Sequence, residues 1–150
     1  METDIHLRMM HAALIQAQAA AVAGEVPVGA VVYRPDGTVL AAAHNTTEAA
    51  RNPTCHAEFV AATEALKAVN DMYLTDCYVA VTLEPCAMCA AALSTMRVKG
   101  IYFGAYDPKS GGTEHGAQVL KYAHHKPTVV GGLLEAECAE VLQRFFAARR

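Results

Sequence analysis

The chain has 150 residues, of which 53% are hydrophobic and 18% charged. That length suits one compact domain spanning 1–150, and that composition excludes a disordered or low-complexity chain. Lys and Arg number 12 against 15 Asp and Glu, leaving a net charge of −3. This argues against a surface that grips nucleic acid everywhere, while permitting a local basic patch.

Asp4 is placed to cap a first helix that runs to about Ala23, with Gly24 as its stop signal. Leu7, Met10, Leu14, Ala17 and Ala21 recur at three- and four-residue steps and give it one apolar face. The uncharged stretch 9–24 is too short for a bilayer span and contains Gln16 and Gln18, so no membrane helix is expected. No basic segment leads into an apolar core, so no signal peptide is expected either, and the cytoplasm is the expected compartment. Strands are predicted at 28–33 and 38–43 around the turn Arg34-Pro35-Asp36-Gly37. A loop through Asn45 and Asn52 leads to Pro53-Thr54, where a second helix opens and runs to Val69. A strand at 78–82 precedes a third helix starting at Pro85 and reaching Thr95. Then come a strand at 101–105, a Gly-rich loop over 107–116, a short helix at 118–122 and a strand at 128–131. The final helix is expected over 134–148. Strands alternating with helices imply an α/β domain of three layers, a mixed five-stranded sheet covered by helices. Its first pair should be an antiparallel hairpin, and the strands joined through helices should be parallel.

Two fragments carry chemistry: Cys55-His56-Ala57-Glu58 and Glu84-Pro85-Cys86-Ala87-Met88-Cys89. Five cysteines in a chain expected to be cytoplasmic point to metal or redox chemistry rather than to a disulfide framework. A Cys-x-x-Cys redox pair would more typically follow the first strand of its fold, whereas this one follows the third. Zinc takes tetrahedral sulfur and nitrogen ligands, and a catalytic zinc keeps one of four positions for water. His56, Cys86 and Cys89 supply three such ligands. A structural site would need a fourth, and the other cysteines, Cys55, Cys77 and Cys138, stand isolated and read as packing residues. On a first helical turn the two thiols face the same way, and a helix N-terminus favours their ionised form. Thr54 as a cap puts His56 and Glu58 where the chain enters its first turn, so both can flank one site. Beside the metal, Glu58 is suited to act as general base and then general acid. His115, His124 and His125 read as surface or loop residues.

His-x-Glu followed by Pro-Cys-x-x-Cys is the signature of the zinc nucleobase deaminases, which the chain therefore resembles. More closely, it is similar along nearly its whole length to the bacterial tRNA-specific adenosine deaminases, in a cytidine-deaminase-like fold. The matching stretches are Glu25-Val26-Pro27-Val28-Gly29-Ala30, Asn45, Asn52-Pro53-Thr54, His56-Ala57-Glu58, Thr82 through Cys89, Gly104-Ala105 with Asp107, and Phe145-Phe146. The resemblance implies one zinc per chain and a homodimer with active sites near the interface. It also implies a substrate, the wobble adenosine of a tRNA anticodon stem-loop, converted to inosine. It makes Glu58 catalytic and Asn45 a residue that holds the base. Main chain at Val28, Gly29, Ala30, Leu83 and Glu84 would line the pocket. The candidate RNA contacts are Asp107, Lys109, Arg144, Phe145, Phe146, Arg149 and Arg150. One of the two phenylalanines is expected to be core. The alternatives are a deaminase of a free base or nucleoside, of the guanine or cytosine type, and a zinc-stabilised binding module without catalysis.

Overall fold

The computed structural model describes residues 2–149, with side chains from 4 to 149. Helix α1 spans Glu2–Val22, so Asp4 lies within its first turn instead of capping it. An acid there still meets the positive end of the helix dipole. Met10 and Ala17 are fully buried, as the periodicity predicts, and Gly24 ends the segment with φ +80°. Strands β1 (Gly29–Tyr33) and β2 (Val39–His44) form the antiparallel hairpin. Helix α1 lies so close to β1 that a Cβ on Gly29 would fall 2.0 Å from the Ala13 carbonyl oxygen. Only glycine fits there.

Helices α2 (Thr47–Ala50) and α3 (Ala57–Val69), strand β3 (Tyr78–Leu83), helix α4 (Ala87–Thr95) and strand β4 (Gly100–Ala105) follow. After β4 come a 3₁₀ turn at Val119–Tyr122, strand β5 (Thr128–Val130) and helix α5 (Glu135–Ala147). The strand order is β2-β1-β3-β4-β5. β1 is antiparallel to β2 and β3, whereas β3, β4 and β5 run parallel. The sheet is thus mixed and five-stranded, as expected. One apolar cluster, with Ala61, Ala65, Leu93 and Phe103, fills the space under α3 and α4. A second, with Met10, Leu14, Tyr33 and Cys138, lies under α1 and α5 on the opposite face.

The helix starts differ from the sequence expectation at both chemical motifs. α3 begins at Ala57 with His56 as its cap residue, in extended conformation, while the Thr54 hydroxyl bonds Asn52 Oδ1 at 2.7 Å. α4 begins at Ala87 with Cys86 as cap residue, leaving Pro85 outside the helix. The reason is tertiary. The Pro85 carbonyl accepts the Gly112 N–H, and Cys86 forms a bridge with Gly111, which keeps the chain extended there. Helix α2 was not anticipated, and its cause lies in Glu25, described below.

Candidate active site

The site forms at the carboxyl ends of β3 and β4, where ligands of open α/β sheets characteristically bind. Leu83 pairs with Ala105 there, and the chain leaves β3 directly into Glu84, Pro85 and Cys86. The antiparallel β1 brings its amino end, and with it Val26 and Val28, to the same edge. α3 and α4 both point their first turns at this edge. Asn45 secures the arrangement: its Oδ1 accepts the Ala57 N–H at 2.8 Å, and its Nδ2 donates to the Val26 carbonyl at 3.1 Å. A side-chain oxygen from the end of β2 therefore caps α3 in place of the expected Thr54.

His56 Nδ1 lies 3.5 Å from Cys86 Sγ and 3.4 Å from Cys89 Sγ. These three ligand atoms all lie within 4.8 Å of one another and are the metal-competent cluster found among the described residues. Zinc bonds of about 2.3 Å to sulfur and about 2.0 Å to nitrogen, opened to a tetrahedral angle, separate sulfur and nitrogen by about 3.5 Å. The observed spacing fits zinc. The Cys89 thiol hydrogen-bonds Cys86 and pulls its thiol down to about 4, with His56 adding to the effect. Cys89 is pushed up in turn, and the Cys86 contact raises His56. A bound dication replaces the proton shared in this triad, because zinc takes thiolates and neutral imidazole.

Glu58 stands beside the triad, 4% exposed, in the first turn of α3. Burial pushes its carboxyl up to about 7, against the opposing pull of backbone hydrogen bonding and His56. His56, Cys86 and Glu58, together with Val26, Val28, Asn45, Thr47 and Asp107, line a cavity of about 250 Å³, while Cys89 is fully buried. Leu83, Glu84 and Ser110 complete its wall. Of the expected main-chain wall, Val28, Leu83 and Glu84 reach the cavity. Gly29 and Ala30 are buried behind it, and the Gly29 N–H donates to Thr82 Oγ1 at 3.1 Å.

Sequence reasoning did not single out Thr47 or Ser110, nor the use of the Glu25 and Glu84 side chains. Glu84 is buried, and burial works against its ionisation. Hydrogen bonds from the Asp107 N–H, the His115 side chain and other donors overcome that and hold the carboxyl below its ordinary value. His115, expected at the surface or in a loop, lies in a loop and donates from Nδ1 to Glu84 at 2.9 Å. The remaining candidates separate. Asp107 lies at the cavity and Lys109 is exposed in the same loop. Arg144, Phe145 and Arg149 instead edge a different hollow, beside Gln18 and Ala21 of α1. Phe145 is buried and Phe146 is 48% exposed, so one of the pair is core, as expected. Arg149 stacks on the Phe145 ring at 3.5 Å, and Arg144 pairs with Glu140. Arg150 lies outside the described residues.

Residues 3–105 match the family model of the cytidine and deoxycytidylate deaminase zinc-binding region. The tRNA-specific adenosine deaminase of Agrobacterium fabrum is 42% identical over 143 residues, covering 94% of this chain and 93% of that one. The chain belongs to this zinc-binding deaminase family. Within the family it falls among the tRNA-specific adenosine deaminases, and the Bacillus subtilis member is 41% identical over 143 residues. A solved tRNA:A34 deaminase of A-to-I editing at the wobble position superposes with a TM-score of 0.87 and 42% identity. That superposition covers 90% of this chain and 99% of that structure. The guanine deaminase of Nitrosomonas europaea, at 23% identity and a TM-score of 0.82, shares the fold.

Proposed function

We propose that this protein hydrolyses the wobble adenosine of a tRNA anticodon stem-loop to inosine and ammonia. The reading rests on identity of 42% to a tRNA-specific adenosine deaminase across 94% of the chain, a span that includes every wall of the cavity. A loop target is also physically apt, because RNA bases are read where they can be splayed out of a helix.

His56, Cys86 and Cys89 would hold the zinc, which when bound would lower the pKa of a water and so make it a better nucleophile. Glu58 accepts a proton from the attacking water as the new C6–O bond forms, and passes it to the ring nitrogen. It then takes the remaining proton from the hydroxyl now on C6 and delivers it to the amine, so that C6=O forms as the C6–N bond breaks and ammonia leaves. Burial equips it for both directions, since a carboxyl raised toward neutrality gives and takes protons readily. Asn45 presents one N–H to the base while its other amide groups hold Val26 and Ala57. Asp107 and Lys109 meet the flanking nucleotides, and Arg144, Phe146, Arg149 and Arg150 reach the stem phosphates or a stacked base.

The enzyme acts in the cytoplasm as a homodimer. Supporting the dimer, Met72 and Tyr122 are 75% and 88% exposed. Met72 lines a groove of about 580 Å³ with Tyr73, Ala91, Thr95, Met96 and Ala123, and Tyr122 immediately precedes Ala123 in the chain. Such a cluster of exposed apolar side chains marks an interaction surface. Light scattering tests it: Met72→Lys with Tyr122→Lys should yield monomers. The substrate is tested by incubating zinc-loaded protein with a panel of anticodon stem-loops and with free adenine, guanine and cytosine. Inosine in a stem-loop is the expected product. Turnover of free guanine or cytosine with every stem-loop left intact overturns the tRNA reading.

A further inference from the structure

Two buried carboxylates flank the cavity, and the chemistry above uses neither. Glu25 and Glu84 are each 2% exposed, and each stands at the foot of a strand edge that walls the site. Glu25 precedes Val26, and Glu84 follows Leu83, both of which line the cavity. Each is filled with donors from one segment. Glu25 accepts the N–H groups of Glu48 at 3.0 Å and Ala49 at 2.8 Å, with the Thr47 hydroxyl at 3.4 Å. Glu84 accepts the N–H groups of Asp107, Glu114 and His115, the Thr113 hydroxyl and the His115 ring, all at 2.9 or 3.0 Å. A carboxylate so occupied is an anchor, not a proton carrier. Charge-assisted hydrogen bonds of this kind are roughly twice as strong as neutral ones.

The two anchored segments line the same cavity, Thr47 belonging to one and Asp107 and Ser110 to the other. The second loop is also seated on the metal-binding helix. A Cβ on Gly112 would lie 2.5 Å from the Ala87 nitrogen, and one on Gly111 2.6 Å from the Glu84 carboxyl carbon. No side chain intervenes between loop, carboxylate and the start of α4.

We propose that Glu25 and Glu84 are paired positioning residues that hold segment 46–51, which carries α2, and loop 107–115 as two walls of a preformed substrate cleft. Resting on the tRNA reading, this makes them determinants of how tightly the cleft takes a base presented on a nucleic-acid strand. Pre-ordered walls spare the entropy of ordering them on binding, so their loss appears in KM before kcat. A glutamine in either place turns an –NH₂ toward backbone N–H groups and cannot accept them all.

The test compares Glu25→Gln, Glu84→Gln and the milder Thr113→Ala, which removes one donor and leaves the carboxylate. Zinc content, amide exchange and steady-state kinetics on an anticodon stem-loop are measured for each. Each glutamine variant should keep one zinc and speed exchange in its own segment alone. It should raise KM by about tenfold, the factor that ~1.4 kcal/mol of lost binding makes at 25 °C. The fall in kcat should be smaller. Thr113→Ala should move KM the same way by less, and it decides the matter if Glu84→Gln does not fold. An unchanged KM with faster loop exchange overturns the proposal, as does a fall in kcat alone or loss of zinc. If wild-type protein ignores stem-loops but deaminates a free base, the tRNA reading fails. The positioning proposal is then judged by KM for that base. Turnover of neither overturns both.

Discussion

The corner where α3 and α4 start and the outer end of α5 were both marked by clustered functional residue types, and they differ in how those residues are held. At the corner, His56, Cys86 and Glu58 line one cavity with Cys89 buried beside the other two ligands, and Asn45 and Glu84 lock the backbone around them. At the end of α5, Arg144 and Arg149 are exposed, Arg144 pairing with Glu140 and Arg149, just past the helix end, stacking on Phe145. The contrast follows from what each must do. Bond-making tolerates little misplacement, so its groups are fixed before substrate arrives. Phosphate attraction acts over about 8 Å at physiological salt and tolerates mobile side chains.

The sharpest way to break this comparison is to strip the metal. Chelation should abolish turnover while circular dichroism keeps the folded signal, because both apolar clusters are built from side chains other than the ligands. Unfolding on chelation would make the corner a structural site. Next comes Glu58→Gln, which should retain one zinc, measured by elemental analysis, and lower kcat by about 10²–10⁴-fold, the range of general acid–base catalysis. Loss of zinc in that variant would instead make Glu58 a ligand.

Effects at the other region should be graded. Arg149→Ala with Arg150→Ala should weaken stem-loop binding by a few-fold and leave zinc and kcat unmoved. It should also flatten the salt dependence, by a slope of about 0.7 for each single-strand phosphate that the variant no longer neutralises. A collapse of kcat would mean that the two regions are not separable. The smallest effect concerns Glu25. The Glu48 N–H, with Ala49, Thr47 and His44, holds its carboxyl below the ordinary value of 4.5 despite the opposing cost of burial. A group depressed on folding lends stability above its unfolded pKa and withdraws it as the pH falls through the folded one. Thermal midpoints of the wild type should therefore fall on acidification below about pH 4.5 by more than those of Glu25→Gln. Parallel curves would remove that role.

The strand and helix pattern was readable because its signals are local. Gly24 and Gly37 stop a helix and turn a hairpin by adopting positive φ, and the alternation of elements dictates layers. The ligand set was readable for a similar reason, since few residue types bind zinc and Cys-x-x-Cys is conspicuous. The helix starts were misread at three places, Asp4, Thr54 and Pro85, where good local cap chemistry was present but unused. At Thr54 the winning oxygen came from Asn45, twelve residues from the N–H it caps. At Pro85 the Gly111-Gly112 segment held the chain extended. Helix α2 escaped notice because its N-terminal N–H groups are satisfied by Glu25, more than twenty residues away.

By itself the sequence determined the order of the strands and of every helix but α2, the apolar face of α1, the chemistry of His56, Cys86, Cys89 and Glu58, and the family. Each of these depends on residue type and short-range spacing. Only the tertiary structure decided that Gly29 lies beneath α1 while Val28 faces the cavity, and that Asp107 stands apart from the arginines of α5. It alone turned Glu25 and Glu84 from surface-like acids into buried anchors of two cavity-lining segments. A carboxylate's role is set by the donors that surround it, and those donors come from distant parts of the chain brought together by folding.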